Sequence, residues 1–437
     1  MNTRREFLEQ STVALAAASA MVHTSSEAQA GSGDRKITMA GIGCGGQGTS
    51  LIKTFAEMPD VKLAYVCDPD EARAAKAADA VKERQSPTVV SDLRRVLDDP
   101  AIDAVTVATP DHWHAPATLL ALAAGKHVYV EKPCSHNIRE GRLMVEAAER
   151  TKKVVQVGTQ SRSTQFIRDI FAKLRDGIIG EIVVAKAWNS QRRKDIGHMQ
   201  PSEAPGGFDY DLWVGPAPMV PFQANRQHYN WHWWYDFGTG DAGNDGVHEL
   251  DVARWGLGVD AHPSRVASIG GKYGFDDDQQ FPDTLYTAFD YPSDGAVGHK
   301  KQLIFEMRIW SPYKQEGHDN ACAFYGTNGM LILGKNGGYK LYGPGSKLIE
   351  EASGKADTQA HRRNFIDCIM TGNKPNADIL TGHLSATLCH LANIAARTGR
   401  TLQFDPAKEE IIGDADAAAL VGRTYREGHW AVPKLSS

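Results

Sequence analysis

Four groups of residues in this chain are suited to chemistry on a substrate that carries hydroxyl groups. A glycine-rich stretch, Gly41-Ile42-Gly43-Cys44-Gly45-Gly46, can present backbone N–H groups to a phosphate. Asp68 can accept hydrogen bonds from sugar hydroxyls, Lys132 can stabilise an oxygen that gains negative charge, and His248 can take up a proton. Phosphate binding combined with acid–base groups indicates an enzyme that uses a nucleotide cofactor.

The sequence around the glycine-rich stretch predicts a strand, a loop and a helix, in that order. Residues 36–40 have the pattern of a short strand, and residues 48–55 have that of a helix. In this context we expect Gly41 to form the tight turn, Gly43 to let the backbone approach a pyrophosphate, and Gly46 to permit close helix packing. The stretch is therefore predicted to bind a dinucleotide.

Asp68 follows a second predicted strand, residues 61–67. An acidic residue about 20 positions beyond the glycine loop can accept hydrogen bonds from the adenosine ribose, which favours NAD over NADP. The alternative role of Asp68 is that of a turn residue in Asp68-Pro69-Asp70. Arg73 leaves NADP possible, because its charge could meet a 2′-phosphate.

Strand-like and helix-like segments alternate through residues 31–155. Helices are predicted over residues 71–82 and 115–124, and further strands over residues 88–90, 104–108 and 127–130. This alternation predicts an α/β fold with a doubly wound parallel sheet, a Rossmann domain, whose ligand site lies at the carboxyl ends of the strands. Two unusual tetrads, Thr109-Pro110-Asp111-His112 and Glu131-Lys132-Pro133-Cys134, fall at such ends.

Residues 156–437 have a different pattern. After one predicted helix, residues 165–176, strand-like segments follow one another without intervening helices, at residues 181–188, 284–289, 302–307 and 321–325. Consecutive strands predict an α+β domain with a large, mostly antiparallel sheet that is open on one face. Helices predicted at residues 360–369 and 385–397 are expected to return to the first domain.

Aromatic residues are concentrated in one part of this second domain. Six of the nine tryptophans lie between positions 188 and 255, with tyrosines and polar residues among them. Such a region suits a carbohydrate site, because aromatic faces pack against the apolar faces of sugar rings while polar neighbours bind hydroxyl groups. Packing beneath a long loop is the alternative for a part of these rings.

The segment that contains His248 is predicted to begin as a glycine-rich loop, at Gly240, and to continue as a helix. Helical spacing would place His248 and Asp251 on one face, so that the carboxylate could orient the imidazole. Asn244 is a candidate cap for this helix. If it is the cap, a proton relay would run through Asp241, Asp251 or solvent.

The segment Ala108-Thr109-Pro110-Asp111-His112-Trp113-His114, followed by Glu131-Lys132-Pro133, resembles the signature of the Gfo/Idh/MocA oxidoreductases, the glucose-fructose oxidoreductase and inositol dehydrogenase family. The resemblance implies that Lys132 is catalytic at the junction of nicotinamide and substrate, that Glu131 helps to hold the cofactor, and that His248 is the general base. Many relatives have aspartate four residues before that histidine, where this chain has Asn244.

The resemblance implies an NAD(P)-dependent oxidoreductase that acts on a hydroxyl of a sugar, cyclitol or related polyol, forms homo-oligomers through its second sheet, and requires no metal. The expected cofactor contacts are Gly41, Gly43, Cys44, Gly45, Gly46, Asp68, Thr109, Pro110, His114, Glu131, Lys132 and Gln160. The expected substrate contacts are Arg162, Tyr229, Trp231, His232, Asn244 and Asp245.

Two other functions remain open at this point. Transient oxidation of a hydroxyl acidifies the neighbouring C–H group, so the same lysine and histidine could serve a redox-neutral NAD-dependent glycoside hydrolase or epimerase. Relatives with glycosidase activity tend to differ around the Glu-Lys-Pro position, which favours the dehydrogenase. The third possibility is a non-catalytic sugar-binding protein with structural NAD.

The N-terminal residues 1–30 have the three regions of a twin-arginine signal. Arg4-Arg5 precedes a short apolar stretch, residues 13–18, and Ala28-Gln29-Ala30 precedes Gly31. The apolar stretch is too short to span a bilayer, which takes about 20 residues. An amphipathic helix with a chance arginine pair is the alternative. The signal predicts export by the twin-arginine machinery to the periplasm, with tightly bound cofactor carried along.

Composition excludes several other classes of protein. The formal net charge of −5 argues against a nucleic-acid partner. The six cysteines occur at positions 44, 67, 134, 322, 368 and 389, without a CxxC pair or a spacing typical of zinc sites. Several histidines lie between residues 112 and 248, but they form no HExxH motif, so we expect no metal site.

Overall fold

The computed structural model describes residues 36–296 and 299–433, which form two sheets. The predicted signal, residues 1–30, lies outside the described residues. None of the described helices combines the length and the apolar character needed to cross a membrane.

The first sheet is parallel, as the alternating pattern predicted. Its strand order is β3-β2-β1-β4-β5-β6. β4 is Ala104-Val105-Thr106-Val107 and is buried along its whole length, as expected for a central parallel strand covered on both faces. The strands are β1 (Ile37–Ile42), β2 (Val61–Cys67), β3 (Thr88–Val90), β4 (Ala104–Val107), β5 (His127–Val130) and β6 (Val155–Val157).

Helices connect the strands of this sheet and are capped by local side chains. Asp70 accepts a hydrogen bond from the backbone of Arg73 at the start of α2, and Asn137 accepts one from Glu140 at the start of α5. The helices are α1 (Gly46–Ala56), α2 (Glu71–Asp79), α3 (Leu93–Leu97), α4 (Asp111–Ala123) and α5 (Ile138–Thr151). The strands and helices together confirm the predicted doubly wound fold.

The second sheet has ten strands in the order β14-β13-β12-β11-β7-β10-β9-β8-β15-β16. Neighbouring strands are antiparallel except for β7 and β10, which are parallel. The strands are β7 (Ile182–Asn189), β8 (Arg265–Gly271), β9 (Thr284–Asp290), β10 (Gln302–Arg308), β11 (Asn320–Gly326), β12 (Gly329–Gly334), β13 (Gly338–Tyr342), β14 (Leu348–Ala352), β15 (Leu402–Asp405) and β16 (Glu410–Ile412).

The two faces of this sheet differ. In β10, Leu303, Phe305 and Met307 alternate with less buried residues and point into the main core. On other strands, Ile269 and Tyr286 are 75% and 45% exposed. The second face is therefore open along β8 and β9 but carries a small buried cluster around Trp188, and its use as an oligomer interface stays a prediction.

Helices cover the buried face and return the chain to the first domain. α9 packs Phe365 against Phe55 of α1 and Tyr129 of β5, with ring centroids 6.2 and 5.8 Å apart. α10 begins at Ile379 rather than at Ser385, because Asp378 caps it by accepting from two backbone N–H groups. The helices are α6 (Gln165–Arg175), α7 (Tyr210–Val214), α8 (Val247–Leu257), α9 (Thr358–Thr371), α10 (Ile379–Thr398) and α11 (Ala415–Ala419).

The aromatic-rich part of the chain forms a long irregular segment between β7 and α8. Phe208, Trp213, Phe222 and Phe237 form a small core of their own within it. Trp188, which precedes the segment on β7, is 1% exposed. Core packing thus accounts for a part of the aromatic residues, which was one of the two interpretations left open by the sequence.

Candidate active site

A cavity of about 390 Å³ lies between the two sheets, at the carboxyl ends of the parallel strands. Both domains contribute to its walls, since β1, β2, β4 and β5 end there and the start of α8 faces them. The predicted site residues that line it are Gly43, Gly45, Gly46, Asp68, Thr109, Pro110, His114, Glu131, Lys132, Gln160, Tyr229, Trp231, His232, Asn244 and His248.

The glycine loop has the geometry of a phosphate cradle. Gly43 has φ +90°, and a Cβ there would lie 2.4 Å from the carbonyl oxygen of Ala108. Gly46 has open space around it, so its backbone is free to meet a ligand at the N-terminus of α1. These features fit a dinucleotide pyrophosphate.

The prediction that Gly46 permits close packing of α1 is wrong. A Cβ on Gly46 would meet nothing within 4 Å, whereas a Cβ on Gly48 would lie 1.9 Å from the carbonyl oxygen of Gly43. Gly48 therefore permits the contact between α1 and the loop. Gly41 and Cys44, two expected cofactor contacts, lie behind the cavity wall rather than in it. Gly41 packs against Ile52, and the Cys44 backbone donates to Asp68.

Asp68 has the turn role that the sequence left open, and its ribose-binding role stays a prediction. Its carboxylate accepts from the backbone N–H groups of Cys44 and Asp70, at 2.7 and 2.9 Å, and so organises the turn after β2. It also lines the cavity, where a ribose hydroxyl could donate to it. Burial raises its pKa. Arg73 lines the same part of the cavity.

The side chain of Glu131, at the end of β5, is held in place by other residues of the protein. Its Oε1 accepts from Gln47 Nε2 at 2.8 Å, and a Cβ on Gly158 would lie 2.7 Å from its Oε2. Burial raises its pKa. Gln47 also lines the cavity and was not expected as a site residue, since nothing in the glycine motif distinguishes it.

Lys132 joins the two domains at the inner end of the cavity. Its Nζ donates a hydrogen bond to the backbone carbonyl of Asn244. Residues Ala242–Gly246 form a π-helical turn that runs directly into α8, so the predicted glycine-rich loop is wrong at this point. π-Turns inside helices recur at functional sites because they redirect backbone groups and side chains.

His248 lies one residue into α8 and faces the cavity. Within residues 36–296 and 299–433, neither of its ring nitrogens has a hydrogen-bond partner. Burial, reinforced by the charges of Lys335 and Lys132, holds its pKa well below the ordinary value. The imidazole is therefore neutral at pH 7 and can accept a proton.

Asp251 does not orient His248, contrary to the expectation from helical spacing. Its carboxylate accepts two hydrogen bonds from Arg162 Nε and Nη2, at 2.9 Å each, and one from Ser385 Oγ at 2.6 Å. Arg162 is consequently committed to a buried ion pair and does not line the cavity, although it was expected to bind substrate. The pair links the segment after β6 to α8.

Asn244 is not a helix cap. Its Nδ2 donates to Asp241 Oδ1 at 2.9 Å and to the Tyr229 hydroxyl at 3.2 Å. Asp241 is fully buried and also accepts from Arg193 and Asn189, at 3.1 and 2.9 Å. Asn244 thus connects the aromatic segment to a buried carboxylate behind the cavity.

Asp245 also lies behind the cavity wall rather than in it. Its carboxylate pairs with Arg193 at 3.0 Å and with Lys335 at 3.6 Å, and Lys335 also contacts Glu249 at 2.8 Å. Together with Asp241, these residues form a buried charge network beneath the π-turn. The expected substrate contact through Asp245 is therefore not part of this geometry.

Three other expected substrate contacts do face the cavity. The rings of Trp231 and His232 stack with centroids 3.6 Å apart, and Tyr229 is 48% exposed. Burial and the charge of Lys132 hold the pKa of His232 well below its ordinary value. These flat, uncharged surfaces suit a sugar ring.

The Thr109–His114 segment holds the strand ends together. His114 contacts the carbonyl oxygens of Pro133 and Thr109 through its two ring nitrogens, at 2.6 and 3.0 Å, and burial lowers its pKa to about 4. Asp111, which was not among the expected site residues, lines the cavity and accepts from Thr239 at 2.6 Å. Burial raises its pKa to about 7.

Elsewhere in the described part of the chain, one group has the composition of a metal site. His262 and His383 contact Glu409 at 2.9 and 3.0 Å. Arg142 also donates to the Glu409 carboxylate, so this carboxylate already has a cationic partner. None of the four residues lines the cavity.

Two sequence models of known families match the chain. One describes an oxidoreductase family with an NAD-binding Rossmann fold and matches residues 37–159. The other describes the C-terminal alpha/beta domain of the same family and matches residues 185–289 and 316–432. This chain belongs to the Gfo/Idh/MocA oxidoreductase family. The membership confirms the resemblance, the predicted fold and an NAD-binding first domain.

The chain is also similar to individual proteins, at low sequence identity or over a part of its length. The chain is 24% identical over 397 residues to scyllo-inositol 2-dehydrogenase (NAD(+)) of Bacillus subtilis, covering 85% of this chain and 97% of that protein. A glycosyl hydrolase family 109 protein of Shewanella baltica is 31% identical over 152 residues, a third of either chain. The structure of a levoglucosan dehydrogenase with NADH and L-sorbose has a TM-score of 0.66 at 17% identity, covering 85% of this chain and all of that one.

Proposed function

We propose that this Gfo/Idh/MocA protein is a dehydrogenase that oxidises a hydroxyl group of a neutral sugar, cyclitol or related polyol, or reduces the corresponding carbonyl. The observation that carries the proposal is the hydrogen bond from Lys132 Nζ to the Asn244 carbonyl. It fixes an ammonium group beside the turn that presents His248. A cation and a neutral base thus meet at the inner end of one cavity.

The two residues have complementary roles. His248, held neutral by its surroundings, takes the proton of the substrate hydroxyl. The ammonium group of Lys132 stabilises the negative charge that develops on the oxygen, an effect commonly worth about 3 kcal/mol for one preorganised donor. When bound, NAD supplies the nicotinamide that accepts the hydride. Because both side chains are positioned before the reaction, little reorganisation is needed.

The charge network beneath the π-turn favours a neutral substrate. Arg193 and Lys335 lie beneath the π-turn, and both are already paired with carboxylates. Among the described residues that line the cavity, Arg73 lies on the side of Asp68, and Lys132 is required at the reacting oxygen, so neither is free to bind the carboxylate of a sugar acid. The names of two similar proteins, an inositol dehydrogenase and a levoglucosan dehydrogenase, agree with a neutral ring substrate.

Variants of Lys132 and His248 test the proposal. We expect Lys132→Ala and His248→Ala to lower kcat at least a hundredfold on an identified polyol while NADH still binds, measured by its fluorescence. Lys53→Ala, on the exposed side of α1, is the matched control and should keep wild-type turnover. Normal turnover in either active-site variant would refute the assigned roles.

A redox-neutral reaction is the second candidate, supported by the similarity to a glycosyl hydrolase family 109 protein over a third of the chain. The lysine and histidine would serve it equally well. The two reactions differ in their cofactor balance. A dehydrogenase accumulates NADH at 340 nm (a general property of this cofactor), whereas a glycosidase releases a sugar and exchanges deuterium at the neighbouring carbon without net NADH.

We further propose export through the twin-arginine pathway, on the basis of Arg4-Arg5 and the cleavage pattern before Gly31. Lys substitution of both arginines should keep the protein in the cytoplasm when cell fractions are compared. Accumulation of this variant in the periplasm at the wild-type level would contradict the proposed route. Assembly through the open face of the second sheet is proposed as well, and analytical ultracentrifugation tests it.

A further inference from the structure

The order of the parallel strands fixes the direction in which a dinucleotide must lie. The glycine loop follows β1 in the middle of the sheet, and Lys132 follows β5 on one side of it. Asp68 follows β2 on the other side, and residues 91–93 follow β3 at the sheet edge. With the nicotinamide beside Lys132, the adenosine has to extend toward β3.

Two segments from outside the sheet cover this adenosine end. One is the aromatic segment between β7 and α8, which places Leu212 and Trp213 in the cavity wall. The other is the C-terminal tail, residues 423–433, which contributes Trp430. The Trp430 ring lies 5.8 Å from the Trp113 ring and 4.5 Å from the guanidinium carbon of Arg94.

The aromatic segment is attached to the loop that holds the ribose. The Asp209 N–H donates to the Pro69 carbonyl at 2.9 Å, and the Glu71 N–H donates to the Gly207 carbonyl at 3.0 Å. His228 also contacts Asp70 at 3.0 Å. These bonds hold the segment against the turn that follows Asp68.

The tail is tied to both sides of the cleft. Arg423 donates to the buried carboxylate of Glu140 at 2.9 Å, and the Tyr425 hydroxyl donates to the same oxygen at 2.9 Å. Arg426 then connects the tail to the aromatic segment, through the Pro216 carbonyl at 2.9 Å and Asp211 at 2.7 Å. The tail therefore bridges the Rossmann helix α5 and the second domain.

We infer that Trp430 and Trp113 form the adenine subsite, and that the tail and the aromatic segment make a clasp that must open before the cofactor can leave. This inference rests on the proposed NAD-dependent function. Stacking of a base on an aromatic side chain contributes enough that its removal weakens binding about tenfold or more. The hydrogen bonds of the tail strengthen cofactor retention further, because the cofactor can leave only after these contacts between the two domains break.

The rate of NADH release from the full-length protein tests the clasp. Bound NADH is displaced by excess NAD in a stopped-flow instrument, and the loss of its fluorescence is followed. We expect Trp430→Ala to release NADH at least tenfold faster and Trp430→Phe to stay within about threefold of the wild type. Trp310→Ala, at a partly exposed tryptophan outside the cavity, is the matched control and should have no effect.

A second variant acts on the clasp without touching the base. Arg426→Ala removes the contact with Asp211, and we expect it to accelerate release as well. Competition by ADP-ribose should weaken in Trp430→Ala, whereas competition by nicotinamide mononucleotide should not. Unchanged release rates in both variants, with wild-type melting temperatures, would overturn the inference.

The experiment separates failure of the clasp from failure of the proposed function. Release of NADH does not require turnover, so the measurement reports on cofactor binding even before a substrate is identified. If the wild type binds no NADH, the proposed function fails first. If it binds and releases NADH at a rate that Trp430 and Arg426 do not affect, only the clasp is refuted.

Discussion

Replacement of Asn244 by aspartate introduces a second carboxylate next to Asp241. The amide nitrogen of Asn244 lies 2.9 Å from Asp241 Oδ1, and Asp241 is fully buried. Two unit charges about 4 Å apart repel by about 4 kcal/mol at an effective dielectric constant of 20. Arg193, which already pairs with Asp241, offsets a part of this repulsion. We therefore expect Asn244→Asp to cost about 2–3 kcal/mol of unfolding free energy at pH 8.

The sign of the pH dependence follows from the same geometry. Burial already raises the pKa of Asp241, and the new carboxylate would raise it further. A carboxyl group whose pKa is higher in the folded than in the unfolded state destabilises the protein once the pH exceeds the unfolded value, about 4. The penalty of Asn244→Asp should therefore be small at pH 4, grow as the pH rises above this value, and level off once the pH exceeds the raised pKa of the folded state.

Thermal unfolding of Asn244→Asp between pH 4 and pH 8 measures this penalty. Asn244→Ala is the control, because it removes the same hydrogen bonds to Asp241 and Tyr229 without adding charge. The difference between the two variants isolates the electrostatic effect. Equal melting temperatures of the two variants at pH 8 would refute the placement of Asn244 beside a charged, buried Asp241.

Three further predictions concern other parts of the site. Gly48→Ala should abolish NADH binding or folding, because its Cβ would lie 1.9 Å from the Gly43 carbonyl oxygen. Gly46→Ala should fold normally. Fluorescence titration measures NADH binding by the two variants, and circular dichroism measures their folding. Arg162→Ala should lower the unfolding free energy by about 3 kcal/mol in urea titrations, because, among the described residues, the buried Asp251 then keeps only Ser385 and Arg254, at 4.0 Å, as partners; a loss confined to KM would contradict this assignment. The fall of kcat/KM on the acid side should begin below pH 6.5, because the lowered pKa of His248 keeps the imidazole neutral down to that pH. A fall that begins above pH 6.5 would show that another group is the base.

The sequence predicted the parts of the fold that depend on local pattern. The buried strand at Ala104–Val107 and its neighbours have the apolar runs of parallel strands, and β10 alternates as a strand covered on one face does. Family membership then confirmed the nucleotide-binding domain. Lys132 and His248, whose roles the family resemblance implied, stand at a strand end and a helix start, and the structure brings both to the cavity.

The errors occurred where contacts distant in sequence decide the geometry. Helical spacing suggested that Asp251 serves His248, but Arg162, on a different element, takes that carboxylate. Gly46 matched the usual motif, although the packing against Gly43 falls on Gly48. Trp430 was missed altogether, because a single tryptophan has no periodicity that predicts its position in the cavity wall.

The hydrogen bond from Lys132 to the Asn244 backbone positions the ammonium group without using a side chain of the π-turn. A carbonyl oxygen is supplied by any residue, so the ammonium group does not depend on which side chain occupies position 244. Side chains on the π-turn can therefore change during evolution while the ammonium group of Lys132 stays in place.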